Sequence, residues 1–158
     1  MKRGAGFTLL EMMIVLGIIA VLALLMVPTY HQRSVREQVL EALPLADLAK
    51  TPLAQSWSST RQFPSDNAAA NLPPAEKIVS NLVSSVAVEA GAIHVRFGNR
   101  ASGLLRDKVL TLRAAVVEDA PIVPVAWVCG YAAPPDKMTA RGANKTDVPK
   151  DYLPARCR

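Results

Sequence analysis

The chain has 158 residues, 51% of them hydrophobic and 20% charged, with a formal net charge of +5 and two cysteines. That length holds one ordinary core, the apolar content excludes a disordered chain, and two cysteines exclude a disulfide-dense scaffold. From Arg96 onward eleven Lys/Arg stand against six Asp/Glu, which reads as a solvated basic face, with attraction to nucleic acid or anionic lipid as the sharper alternative.

In chain order, Lys2 and Arg3 precede Gly4, Ala5 and Gly6, and Phe7-Thr8-Leu9-Leu10-Glu11 then opens an apolar run. The sixteen residues 12–27 carry no charge. A secretory signal needs a small-residue cleavage site after its apolar core, and Pro28-Thr29-Tyr30-His31-Gln32 does not supply one. Residues 7–28 would span roughly 33 Å as a helix, the thickness of a bilayer core. The basic pair before them predicts a cytoplasmic N-terminus. The spacing therefore predicts a membrane-inserted helix over 7–28. Glu11 is its one acid, and a carboxylate in an apolar segment is costly unless it stays wet near the headgroups or meets a cation.

Helical periodicity continues from Arg33 to about Trp57. Val35, Val39, Ala42, Leu43, Ala46, Leu53, Ala54 and Trp57 share one face, and Glu37, Glu41 and Asp47 lie opposite or on its flanks. Lys50 interrupts the apolar face and Arg36 borders it, so each is expected to snorkel or to meet a partner. Pro28 predicts a kink or local opening, and Pro44 and Pro52 predict curvature or an early end.

Residues 58–74 read as an irregular loop, followed by a helical turn from Pro74 to about Leu82. Four strands are predicted at 84–89, 92–97, 108–117 and 123–129, with Ala90-Gly91 as a tight hairpin. An antiparallel meander packed on the amphipathic half of the helix is the expected α+β architecture. From Gly130 to Arg158 the chain is polar, proline-rich and without period. Cys129 and Cys157 are a single disulfide if the domain is exported, worth roughly 3 kcal/mol in the chain-entropy model, and inert thiols otherwise.

The N-terminal residues, basic leader, Gly6, Phe7, Thr8, Glu11 and Pro28 in that order, resemble the class III signal of type IV prepilins. Residues 49–51, the segment 122–130 with Trp127-Val128-Cys129-Gly130, and the terminal Asp151-Tyr152-Leu153-Pro154-Ala155-Arg156-Cys157-Arg158 are similar to type IVa pilins. The resemblance covers nearly the whole chain, most weakly 98–107 and 137–148. It implies a pilin fold: a long N-terminal helix, transmembrane and then amphipathic, packed on a four-stranded antiparallel sheet with a C-terminal loop bounded by Cys129 and Cys157. It implies a leader 1–6 cut between Gly6 and Phe7 by a prepilin peptidase, N-methylation of Phe7, a polymerisation helix over 7–28, and a globular domain over 29–158.

What the resemblance implies for function is a structural subunit, major or minor, of a type IV pilus used for adhesion, twitching motility or DNA uptake. Its expected partners are copies of itself, other pilins, the peptidase, the inner membrane and its assembly platform, with DNA or a host surface as outer partners. The subunit would be single-pass in the inner membrane first and part of an extracellular fibre afterwards. Glu11 is the expected assembly residue, pairing with the freed amine of Phe7 on itself or a neighbour. A minor pilin acting as a DNA-uptake receptor and a type II secretion pseudopilin are the alternatives. The DNA reading would use Arg141, Lys145, Lys150, Arg156 and Arg158, with Asp136, Asp147 and Asp151 interleaved against it.

No enzyme, cofactor or metal site is expected. His31 and His94 lack ligand partners at metal spacing, the cysteines lack redox spacing, and no nucleophile elbow or phosphate loop is present. Asn144-Lys145-Thr146 is a glycosylation triplet of a kind that arises by chance, and Trp57 and Trp127 read as core.

Overall fold

The structure is a computed structural model that describes residues 6–158; residues 1–5, and the side chains of residues 26–31, lie outside the described residues. The leader Lys2 to Ala5, and the side chains of Pro28 and His31, fall in those segments. The chain divides into two compact units, Met1–Ser34 and Val35–Arg158. One helix, α1 (Leu9–Thr60), runs through both.

In the first unit the side chains from Leu9 to Leu25 are exposed on every side, with large apolar residues between 42% and 80% accessible. A helix that is apolar all round requires an apolar environment on all sides. Among the described residues no helix is long and apolar enough to cross a membrane, and the apolar run continues in sequence through Met26 and Val27, whose side chains lie outside the described set.

In the second unit α1 is amphipathic as its period predicts. Val35, Val39, Ala42, Leu43, Ala46, Ala49, Leu53 and Trp57 are buried, while Ala54 is only half-buried. The expectation that Pro44 or Pro52 ends the helix early is not met: α1 continues to Thr60. A helical proline leaves the carbonyl four residues earlier without its donor. Here those carbonyls belong to Leu40 and Leu48, both on exposed turns (41% and 58%) where water can satisfy them. The helix stops where Arg61 turns left-handed (φ 55°) and donates its N–H to Trp57 O at 3.0 Å. Ser58 and Ser59 Oγ donate to Gln55 O, and Thr60 Oγ1 to Ser56 O, occupying other carbonyls of that last stretch.

The sheet is an antiparallel meander of β1 (Val83–Glu89), β2 (Ala92–Phe97), β3 (Val109–Val116) and β4 (Ala126–Cys129), in that spatial order. Alternation sends Val86, Val88, Ile93, Val95, Phe97, Leu110 and Leu112 into one core with the helix residues above. The hairpin at Ala90-Gly91 has positive φ at both residues (45° and 93°), the primed turn that suits right-twisted strands. The sheet has a fifth strand that the expected four did not include. β5 (Thr139–Arg141) pairs with Ala114, Ala115 and Val116, the end of β3 that β2 leaves free. The predicted start of β4 at residue 123 is also too early, since Pro124 cannot donate to a ladder.

Side chains close the rest of the domain. Asn67, in the loop after α1, donates to Val86 O and accepts from Val88 N–H, so its amide covers the outer edge of β1. Gln38 Oε1 accepts Ser102 N–H at 2.8 Å, and Arg36 donates to Asp151 O at 2.9 Å. Cys129 and Cys157 are disulfide-bonded across a separation of 28 residues.

Candidate assembly site at the helix start

Thr8 immediately precedes α1 and acts as its N-cap. Glu11 N–H donates to Thr8 Oγ1 at 3.3 Å, and Thr8 N–H donates back to Glu11 Oε2 at 3.4 Å. The first helical bond, from Met12 N–H to Thr8 O, is 3.3 Å long. This reciprocal pattern is a capping box, which satisfies two of the donors that a helix start leaves unpaired. The signal is legible as Thr-x-x-Glu before an apolar run, a local capping role beside the headgroup and assembly readings that the sequence suggests for Glu11. The positive end of the helix dipole also favours an acid in this turn.

Gly6 and Phe7 lie just before the cap. A Cβ at Gly6 would meet nothing within 4 Å, and Phe7 is 77% exposed. Among the described residues, nothing obstructs access to this peptide bond. Glu11 Oε2 accepts from Thr8 N–H, so an amine created at Phe7 would lie one residue along the chain from the group the cap engages.

The other singled-out residues are distributed over the second unit. His94 is buried on β2, its Nδ1 2.9 Å from Thr111 Oγ1 and its Nε2 3.4 Å from Glu89 Oε2, while Lys145 is ion-paired with the same Glu89 carboxylate. Burial, then the Lys145 charge, holds His94 below its ordinary range against the upward pull of Glu89. The Lys145 hydrogen bond lowers Glu89. Trp57 is buried and stacks on Phe63 at 5.1 Å, and Trp127 packs half-buried against the core. Lys50 resolves its conflict with the apolar face by reaching Asp47 Oδ1 at 2.7 Å, over the Trp127 ring.

The basic C-terminal residues are largely engaged. Arg141 pairs with Glu118 at 2.6 Å, Lys145 with Glu89, and Lys150 lies over Tyr131, while Arg158 Nε donates to Leu153 O. Asn144 donates to Gly130 O and accepts from Thr146 N–H, so the amide of the glycosylation triplet is already bonded. Among the described residues no group of His, Cys, Asp or Glu could hold a metal ion.

A long helix with a naked apolar half, a capped acid at its start, and a disulfide-closed sheet domain on its other half defines a fibre-subunit class of α+β protein. A family profile described as Pilin (bacterial filament) matches residues 35–158, and the prokaryotic N-terminal methylation motif matches residues 1–27. A fimbrial protein of Neisseria meningitidis serogroup B is 30% identical over 162 residues, covering 97% of this chain and 93% of that protein. The type IV major pilin protein PilE of Neisseria gonorrhoeae is 30% identical with the same coverage, and the fimbrial protein EcpC of Eikenella corrodens is 29% identical over 97% and 90%. The chain belongs to the pilin family and is a structural pilus subunit.

Proposed function

We propose that the subunit is made as a prepilin, cut between Gly6 and Phe7 by a prepilin peptidase, N-methylated on Phe7, and held single-pass in the inner membrane by residues 7–28 until an assembly platform draws it into a type IV pilus. The observation that carries this reading is the helix start, an all-round exposed apolar face from Leu9 with one capped acid. Fully burying one large aliphatic side chain from water is worth about 1.5–3 kcal/mol, so more than a dozen such residues keep this half out of water. Moving it from lipid into a bundle of identical helices is nearly neutral for the apolar surface. Direction then comes from outside the chain, and register comes from the one charge.

Cleavage places the Phe7 amine beside Glu11. In a packed apolar bundle the local dielectric is low, so an unmatched carboxylate is heavily penalised and a matched one fixes axial position. Pairing supplies register and apolar contact supplies association. The engaged cations of the C-terminal face do not favour a DNA receptor, and the disulfide-closed end supports a pilin over a pseudopilin.

Mass spectrometry of fibres sheared from the cell surface tests the reading. The expected result is this chain beginning at Phe7, one methyl group heavier than the unmodified amine. A chain retaining residues 1–6 in a soluble fraction, and absent from fibres, would overturn it.

A further inference from the structure

Ile122 is 92% exposed, the most exposed of the large apolar side chains in the sheet domain. It sits in the segment between β3 and β4, directly after Pro121 and two residues before Pro124. Three residues earlier Asp119 is exposed and, among the described residues, in no ion pair.

A groove of about 240 Å³ lies between α1 and the free edge of β4, lined by Leu40, Pro44, Lys50, Trp127 and Arg156 among others. β4 ends the sheet, so nothing pairs with it on that side. The volume is below the range of drug-sized ligand pockets, about 300–1,000 Å³, and suits a side chain. Its apolar lining includes the buried Leu43 and Leu112, with Leu40, Pro44 and the Trp127 ring. Its charged lining is Asp47 and Lys50, paired with each other, and Arg156, which is exposed and, among the described residues, in no ion pair.

Ile122 cannot fill the groove of its own domain. Trp127 lines a hollow with Ser58 near the end of α1, whereas Cys129 shares the groove with Leu43, so β4 runs from the Thr60 end back toward the middle of the helix. The segment before β4 is therefore at the Thr60 pole, and the groove opens lower on the flank. Knob and groove are different surfaces of one chain. A contact between different surfaces is head-to-tail, and such contacts propagate into open filaments where a self-complementary contact closes into a pair.

We propose that Ile122 of one subunit seats in the Trp127 groove of the next, with Asp119 meeting Arg156 across the rim. This rests on the reading of the chain as a pilus subunit and adds a second contact to that of the helices. The matching signs suit the contact to copies of this chain: among the described residues, an acid without an ion pair beside the knob, and beside the groove a base without one, Arg156, since Asp47 and Lys50 there pair with each other. Rim charges of this kind set partner choice and register more than affinity.

The test uses the full chain in cells that assemble fibres, with I122D, I122L, D119R, R156D and the double exchange D119R/R156D. Sheared fibre yield is read against the amount of processed chain in the membrane fraction, which reports folding. The expected result is a roughly tenfold loss of fibre for I122D and for each single reversal, near-normal fibre for I122L, and recovery when both charges are exchanged. Normal fibre from I122D, or failure of the double exchange to recover it, overturns the contact. Wild-type chain missing from fibres would instead remove the pilus-subunit reading beneath it.

Discussion

The Glu11 carboxylate lies across the first turn of α1 from Thr8, taking its N–H at 3.4 Å while Glu11 N–H reaches Thr8 Oγ1 at 3.3 Å. These are long bonds on an exposed helix start, strong enough to hold the side chain back toward the chain terminus and weak enough to yield to a charged partner. The same acid therefore has a local role before assembly and, in the proposed fibre, an intermolecular one. The two roles separate by substitution.

Glu11→Gln keeps a capping acceptor but removes the charge, and Thr8→Ala removes the cap but keeps the charge. We expect Glu11→Gln and Glu11→Ala to be processed after Gly6 yet to yield no fibres. Thr8→Ala should lose about 1 kcal/mol of helix-start stability and still assemble at a reduced level. Terminal mass and sheared-fibre yield give both readouts. Abundant fibres from Glu11→Ala would show that the charge does not set register.

The disulfide should matter most for the end of the chain. Tyr131 N–H donates to Cys157 O at 3.0 Å, and Gly130 leaves no room for a side chain beside that carbonyl, at 2.5 Å from a built Cβ. Removing the Cys129–Cys157 link restores the freedom of the loop it closes, roughly 3 kcal/mol. For a domain of this size that is on the order of 10 °C in melting temperature. Comparing oxidised chain with the C129S/C157S variant by thermal unfolding checks the figure, and equal midpoints would mean that the terminal turns hold without the link.

His94 predicts the direction of acid sensitivity. Burial favours its neutral form, Lys145 opposes protonation and Glu89 favours it, with Thr111 holding Nδ1. The folded pKa lies below the unfolded one, so the unfolded chain binds the extra proton first. Stability is then intact above about pH 6.5 and falls as pH drops toward the folded value. The lowered Glu89 adds a loss in the same direction below its own ordinary range. His94→Gln should flatten the fall that begins below about pH 6.5 in urea titrations, leaving only the carboxylate part at lower pH. An unchanged slope in the variant would place the acid sensitivity elsewhere.

Most of this architecture was readable because it is local. The 3.6-residue repeat marks Val35 to Trp57, and alternation marks 92–97 to the residue, since Ile93, Val95 and Phe97 share the core side of one strand. What escaped is non-local. Thr139–Arg141 has no apolar pattern and is a strand only because β3 extends past β2 and offers Ala114 to Val116. The prolines at 44 and 52 misled for a related reason, because their cost depends on whether Leu40 and Leu48 face water. At the helix start the Thr8–Glu11 pair was written in the sequence, but a buried-charge argument about Glu11 drew attention away from its capping role.

Gly142 tests how the unforeseen strand is held. It follows β5 at φ 81°, where L side chains are strained, and a Cβ there would lie 2.6 Å from both the Cβ and the backbone N of Ala92. The neighbour is the first residue of β2, which is backbone and buried, so it cannot move aside as a long side chain would. Gly142→Ala should therefore cost roughly 1–3 kcal/mol from conformational strain, plus a clash that the buried start of β2 resists. The damage should appear first at the junction of β5, β2 and the Ala90-Gly91 turn. Hydrogen exchange of the full chain is the informative measurement, with protection lost at the Ala114 amide, which donates to Gly91 O at 2.8 Å, before β1 or α1 respond. Protection lost evenly across the sheet would mean that β5 is not a separate unit of stability but part of the same cooperative fold.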